Sequence, residues 1–370
     1  MPAPDASSAT ARVVSSYNEW DPLEEVIVGH VRGAMLPTRH IAERVWGNSR
    51  LGALIGRATA GRPYPSYVIG KATEEVERFA ELLAGEGVTV RRPDPVDHGR
   101  TYRTPEWSSH GFCTASPRDG LLVVGDQIIE TAGAWRSRYF EVFAYRRILN
   151  DYFRRGARWT AAPRPRLDDK SYDPTFRPPK EGEPLRYVLT EEEPLLDAAD
   201  FTRCGRDLFV IRSNTTNLAG IEWMRRHLGP DHRIHVVETR QRKPQHIDTT
   251  IVPLAPGKVM INPEFIDIDR LPPLLRKWDI LVPPAPDPVQ ARGLDAYVHL
   301  AGDWISLNVF MLDPKRVVVS AQQPSLIRAF ESWGFTPVPT PFLHYKMFGA
   351  GLHCATLDVR RRGTLESYFD

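Results

Sequence analysis

Apolar and polar positions along the chain recur in one plan: a short β-type hairpin, an amphipathic helix, then often another short strand. The plan returns about five times. The first round opens at residues 23–29 (LEEVIVG), continues in a helix whose apolar Val76, Phe79, Ala80 and Leu83 fall at i, i+3, i+4 and i+7, and ends at 88–90. In the second, strands at 121–124 and 128–129 flank the turn pair Gly125-Asp126, and helical periodicity runs over 136–155 until Gly156 stops it. The third has a strand at 208–211, a helix over 218–228 closed by Gly229-Pro230, and a strand at 234–237. The fourth pairs 250–254 with 258–261 around Pro256-Gly257, then a short Pro-interrupted helix near 271–278 and a strand at 280–282. The fifth has strands at 309–312 and 317–320, a helix over 325–333 and a final strand at 354–359.

Units spread evenly along a chain predict one pseudo-symmetric α/β domain over 16–370. Connections at 31–70, 93–118 and 157–194 exceed ordinary loop lengths, as active-site lids and binding loops do; a domain linker at 157–194 is the alternative. Residues 1–15 are small and polar, with neither a signal-peptide core nor an Arg-rich amphipathic pattern, and read as a flexible tail.

Composition narrows the function classes. The 370 residues are 42% hydrophobic and 25% charged, an ordinary globular balance. With 48 Lys plus Arg against 46 Asp plus Glu, no global field draws the chain to nucleic acid or an anionic membrane. Apolar runs are strand-sized, short of the ~20 residues of a membrane span. Three cysteines are too few for a disulfide framework and form no CxxC pair, so a reducing cytoplasm is expected.

Candidate chemistry is sparse. Cys354 follows a glycine-containing run, 349–353 (GAGLH), at the start of an expected strand, where backbone can approach a ligand closely. A lone Cys more often packs as a small hydrophobe, the reading given to Cys113 and Cys204. His246 and Asp248 stand two apart at an expected strand entry, on one face, and Asp197 and Asp200 form a second acidic pair. A metal half-site at His246 and Asp248 lacks the dense ligand cluster such sites need. A thiol, an imidazole and carboxylates also fit nucleophilic catalysis.

Ordered motifs then point to a family. Residues 18–29 (NEWDPLEEVIVG), 116–119 (SPRD), 135–138 (WRSR), 197–201 (DAADF), 220–223 (GIEW), 246–248 (HID) and 353–361 (HCATLDVRR) resemble the amidinotransferases over nearly the whole chain. The resemblance implies the five-bladed α/β-propeller of guanidine-modifying enzymes. It implies Cys354 as nucleophile, His246 as proton shuttle, Asp197 as its orienting carboxylate, and Asp119 and Asp248 as the acids that grip the guanidinium. It further implies transfer of an amidino group from arginine or a related guanidine to a primary amine, by a ping-pong route and in the biosynthesis of a guanidino compound, with no metal or organic cofactor. The expected partners are those two small molecules; relatives are often dimers, which makes a homodimer the assembly to test.

Departures concern substrate choice. Phe265 stands where relatives carry an Arg that clamps the donor's α-carboxylate, and Ala301-Gly302 replaces a Ser pair. Ala350 and Leu352 replace a Gly and a Phe, Lys243 and Gln245 are expected to help select the acceptor, and Arg270 and Arg292 are candidate replacement clamps. A guanidine hydrolase of the same superfamily is the alternative activity. A non-catalytic guanidine-binding protein is disfavoured by the retained Cys354, His246 and Asp197.

Overall fold

The computed structural model describes residues 12–46, 58–288 and 302–369. Hairpins set its plan. Two-residue turns at Gly125, Gly205 and Gly257 need a left-handed backbone, and these glycines adopt φ of 62, 69 and 76°. Along the chain the strands are β1 (Leu23–Val28), β2 (Thr89–Arg91), a minor pair β3 (Tyr102–Arg103) and β4 (Ser108–Ser109), then β5 (Leu121–Val124), β6 (Gln127–Glu130) and β7 (Arg158–Ala161). They continue as β8 (Phe201–Cys204), β9 (Asp207–Val210), β10 (Arg233–Val236), β11 (Ile251–Ala255), β12 (Lys258–Ile261) and β13 (Asp279–Leu281). The last are β14 (Phe310–Asp313), β15 (Arg316–Ser320), β16 (Thr336–Thr340) and β17 (Thr356–Arg361).

They assemble into five three-stranded sheets of identical design: β5-β6-β7, β8-β9-β10, β11-β12-β13, β14-β15-β16 and β17-β1-β2. In each, an antiparallel pair is extended by a parallel third strand. The sheets abut in a closed ring. Strand β17 lies against β5, the turn Ala198–Asp200 against β5, β8 against β11, the turn Asp303–Leu307 against Ile247–Thr249, and β14 against β1. This is the expected five-bladed α/β-propeller.

Helices pack between and around the blades. Ser66–Gly85 buries Val68, Ala72, Val76, Phe79, Ala80 and Leu83, the stripe expected from periodicity. Leu218–Leu228 starts on Asn217, whose side chain accepts the Gly220 N–H, and ends at Gly229 with φ of 67°. In the segment 157–194, Leu167, Tyr172, Val188 and Leu189 join the buried cluster that holds the helix Ser66–Gly85. On the ring axis the buried Arg203 pairs with Glu19 at 2.8 Å and Asp358 at 2.7 Å, and Arg361 reaches Asp358 at 2.7 Å.

Several expectations are corrected. The helix expected over 136–155 is broken into 3-10 turns Arg136–Arg138 and Glu141–Tyr145 before the helix Arg146–Arg154. On these turns Arg138 pairs with both Asp119 and Glu141. The helix near 271–278 is only a 3-10 turn, Leu275–Lys277. His246 and Asp248 sit on a 3-10 turn ahead of β11 rather than on a strand. The fifth unit ends in β16, and the strand after Cys354 instead pairs with β1, completing the first blade. Residues 1–11 of the expected tail lie outside the described residues; beyond them Val14 is buried and Ser15 exchanges backbone hydrogen bonds with Val359 and Arg361.

Candidate active site

Each blade delivers side chains from the same place, the turn that leads into its ring-facing edge strand. Asp119 lies in the turn Pro117–Gly120 before β5, and Asp197 opens the turn before β8. His246 and Asp248 occupy the turn before β11, Asn308 follows the turn Asp303–Leu307 before β14, and Cys354 precedes β17. Internal symmetry of the fold therefore converges residues more than two hundred positions apart.

The centre is buried and polar. His246 Nε2 meets Asp197 Oδ2 at 3.3 Å, and its Nδ1 lies 3.9 Å from Asp119 Oδ1. Donor atoms of Asp119, His246 and Cys354 all fall within 4.8 Å of one another, a spacing that would also admit a thiophilic metal ion. The Cys354 thiol donates to Asp248 Oδ2 at 3.2 Å, and that oxygen also faces His353 Nδ1 at 2.8 Å. Arg138 holds Asp119 Oδ2 at 2.6 Å. The other oxygen of each acid, Asp119 Oδ1 and Asp248 Oδ1, is buried without a hydrogen-bond partner. Two orphaned carboxylate oxygens beside a thiol are a costly arrangement unless a cation with N–H donors fills the gap.

His246 is held in an uncommon backbone conformation, φ 57° and ψ 128°, of the kind that costs about 1 to 3 kcal/mol for a residue with a Cβ. Asp200 secures it: Oδ1 accepts the His246 N–H at 2.9 Å, while Oδ2 accepts the hydroxyls of Ser213, Thr215 and Thr216. Burial and the Asp248 carboxylate push the Cys354 thiol up to about 12, against the pull of His246. Burial works against a charged imidazole at His246, but Asp119, Asp197 and Cys354 outweigh it and hold its pKa well above the usual value. Burial likewise raises the Asp119 carboxyl, with His246 and Arg138 opposing. These shifts favour a thiol beside an imidazolium.

The structure brings together Cys354, His246, Asp197, Asp119 and Asp248. The substrate-selecting residues are more dispersed. Gln245, next to His246, has a buried and unpartnered Nε2, and Lys243 is partly buried, which lowers its pKa. Phe265 sets its ring edge-on to Trp304, 6.4 Å between centroids, while Gly302 is exposed. Ala301 and Arg292 lie outside the described residues. Arg270 is exposed and paired with an exposed Glu238 at 3.1 Å, so it is engaged at the surface. Sequence reasoning missed Asn308 and gave no role to Asp200, Arg138 or Glu141; Asp200 closes the entry turn before β8 and Asn308 follows the one before β14, whereas Arg138 and Glu141 reach the site from turns after β6. A cavity of about 340 Å³ opens beside the centre, lined by Ser306, Asn308, Lys346, Gly351 and Leu352 among others.

The ring of five blades with a Cys, a His and paired acids at its centre defines a protein of the guanidine-modifying fold. Dimethylarginine dimethylaminohydrolase shares that fold alone, at 14% identity and a TM-score of 0.55 over 90% of this chain and 99% of its own. No protein-family model matches the chain. It is 45% identical to the L-arginine:L-lysine amidinotransferase of Pseudomonas savastanoi pv. phaseolicola over 355 residues, 96% of each chain. Among solved structures, the amidinotransferase of the saxitoxin biosynthetic pathway from Microseira wollei is 50% identical with a TM-score of 0.92, covering 96% of this chain and 99% of that one. The inosamine-phosphate amidinotransferase of Streptomyces griseus is 39% identical with a TM-score of 0.87, covering 97% and 100%. The chain belongs to the amidinotransferases, enzymes that transfer amidino groups.

Proposed function

We propose that the protein moves an amidino group from arginine or a related guanidine to a primary amine through an amidino-Cys354 intermediate, in the biosynthesis of a guanidino compound. The carrying observation is the pair of orphaned oxygens, Asp119 Oδ1 and Asp248 Oδ1, beside Cys354 and His246. A planar guanidinium offers N–H donors to both and holds its central carbon toward the sulfur. Its charge offsets the carboxylates that keep the thiol protonated, so the thiolate forms when the donor is bound and its proton passes to solvent. The thiolate attacks the amidino carbon. The His246 imidazolium protonates the departing amine, and the tetrahedral intermediate collapses to the amidino-thioether.

The donor's amine product then leaves. Neutral His246, oriented by Asp197, deprotonates the incoming amine, which attacks the amidino carbon and expels the Cys354 thiolate, a ping-pong cycle. No metal or organic cofactor takes part. Three buried free thiols, one of them the nucleophile, suit a reducing cytoplasm.

The test is intact mass after incubation with a guanidine donor and no acceptor. An amidino adduct mapping to Cys354 and discharged by an amine supports the reading. An adduct on Cys113 or Cys204, or one persisting in Cys354→Ala, refutes it.

A further inference from the structure

Four blades supply the groups to which the proposed reaction assigns roles: Asp119, Asp197, His246 with Asp248, and Cys354. The fifth contributes Asn308 from the equivalent position, one residue after its entry turn, and Asn308 is buried. Three hydrogen bonds tie it to the nucleophile's segment. Its backbone carbonyl accepts the His353 N–H at 3.2 Å, its Oδ1 accepts the Cys354 N–H at 2.8 Å, and its Nδ2 donates to Cys354 Sγ at 3.3 Å.

The amide's orientation is fixed by this network. The Cys354 N–H is a donor and requires the oxygen, so the NH₂ group must face the sulfur. The close approach depends on Gly351: a Cβ there would fall 2.5 Å from Asn308 Cβ and 2.6 Å from its Oδ1. A side chain at residue 351 would push the Asn308 amide from its place against Cys354.

We propose that Asn308 is a catalytic residue of the transfer, donating from Nδ2 to the Cys354 sulfur so that the thiolate is stabilised before attack and again when it is expelled by the acceptor. The inference rests on the covalent reading above. Its physical content is a contrast. The sulfur is surrounded by carboxylates, with Asp248 at 3.2 Å and Asp119 in the same cluster, and both oppose a negative sulfur. Nδ2 of Asn308 is a neutral donor pointed at it, and such a bond strengthens when its acceptor becomes charged. It therefore favours the thiolate without competing for the guanidinium, as a lysine or arginine at the same place would.

The experiment uses the full chain with Asn308→Asp and Asn308→Ala. The alanine removes the donor to sulfur without adding a charge beside it, and the aspartate, which keeps an acceptor for the Cys354 N–H, tests whether holding the loop is enough to preserve adduct formation. Three quantities are compared with the parent: the pH midpoint of Cys354 alkylation by iodoacetamide, the rate of adduct formation from saturating donor, and donor KM. In both variants the midpoint is expected to rise by about one unit or more and adduct formation to slow by about tenfold or more, with donor KM changed less than about threefold. Should the aspartate variant not fold, Asn308→Ala carries the comparison alone. Adduct formation in the parent with an unchanged alkylation midpoint in a folded Asn308 variant would overturn this inference alone. A parent that forms no adduct at Cys354 would overturn the covalent reading and this inference with it.

Discussion

Replacing Asp248 by asparagine should move two properties of the site in opposite directions. One oxygen of Asp248 is free to receive the guanidinium, and the other accepts from the Cys354 thiol at 3.2 Å. Removing the charge weakens donor binding by the worth of a charge-assisted hydrogen bond, about 1.5 to 3 kcal/mol, or roughly ten- to a hundredfold in affinity. The thiol responds the other way. A carboxylate and a thiolate 3.2 Å apart repel by about 5 kcal/mol at an effective dielectric of about 20, a ceiling of just under four pKa units. Loss of the S–H···O bond and local relaxation reduce this, so Asp248→Asn should lower the thiol from about 12 by about one to three units. Donor affinity would be measured by calorimetry in a Cys354→Ala background, and thiol ionisation by the pH dependence of alkylation in the parent background. A variant that binds donor more weakly yet alkylates at lower pH bears the argument out. An unchanged or higher alkylation midpoint would show that Asp248 does not face the sulfur as a charge, and unchanged affinity that it does not grip the guanidinium.

Other outcomes follow from the same geometry. Cys354→Ala should abolish transfer while guanidine binding, measured by calorimetry, stays nearly intact, because carboxylates rather than the thiol hold the cation. His246→Asn should reduce turnover more than Asp197→Asn, since one removes the proton carrier and the other its orientation; near-parental turnover in His246→Asn would transfer the role to another group, His353 first. With Phe265 packed on Trp304 and Arg270 engaged by Glu238, arginine and agmatine should serve as donors within about tenfold in kcat/KM, and a preference for arginine well above a hundredfold would refute this. Burial raises the Asp200 carboxyl to about 6, so the native chain holds a proton that the unfolded chain releases near 4. That contribution to stability is full below the unfolded value and is lost as pH rises through the folded one. The difference in melting temperature between the parent and Asp200→Asn should therefore change between about pH 4 and 6, and a flat difference would contradict it.

Much of the ring was readable from local pattern. Hairpins announced by Gly125-Asp126 and Pro256-Gly257 form where turn chemistry and flanking apolar runs agree. The missed strands have specific reasons. Strand β16, TPVPT, carries Pro337 and Pro339, which an edge strand tolerates but which hide it from pattern reading. Strand β8 contains Arg203, polar in sequence yet buried on the ring axis between Glu19 and Asp358. The placement of β17 beside β1 is non-local and has no signature in either segment. At the site, Cys354, His246 and the three acids were legible only through ordered family motifs, because a single Asp or Cys says little. Asn308 was invisible, since a lone asparagine is ordinary loop chemistry until the fifth blade's entry turn is known.

The pairing of β1 with β17 sets an order of events in the life of the molecule. Four blades are built from consecutive stretches of chain and can form as those stretches emerge during synthesis, whereas the first, β17-β1-β2, waits for residues 356–361 to find residues 23–28. Cys354 is placed by that last clasp. On the proposed reaction, the sulfur therefore enters its acidic cradle only at ring closure, and a nascent chain carries the proposed binding groups long before it carries the proposed nucleophile in place. Any lesion that loosens the β1–β17 seam, however distant from the substrate site, should displace Cys354 first.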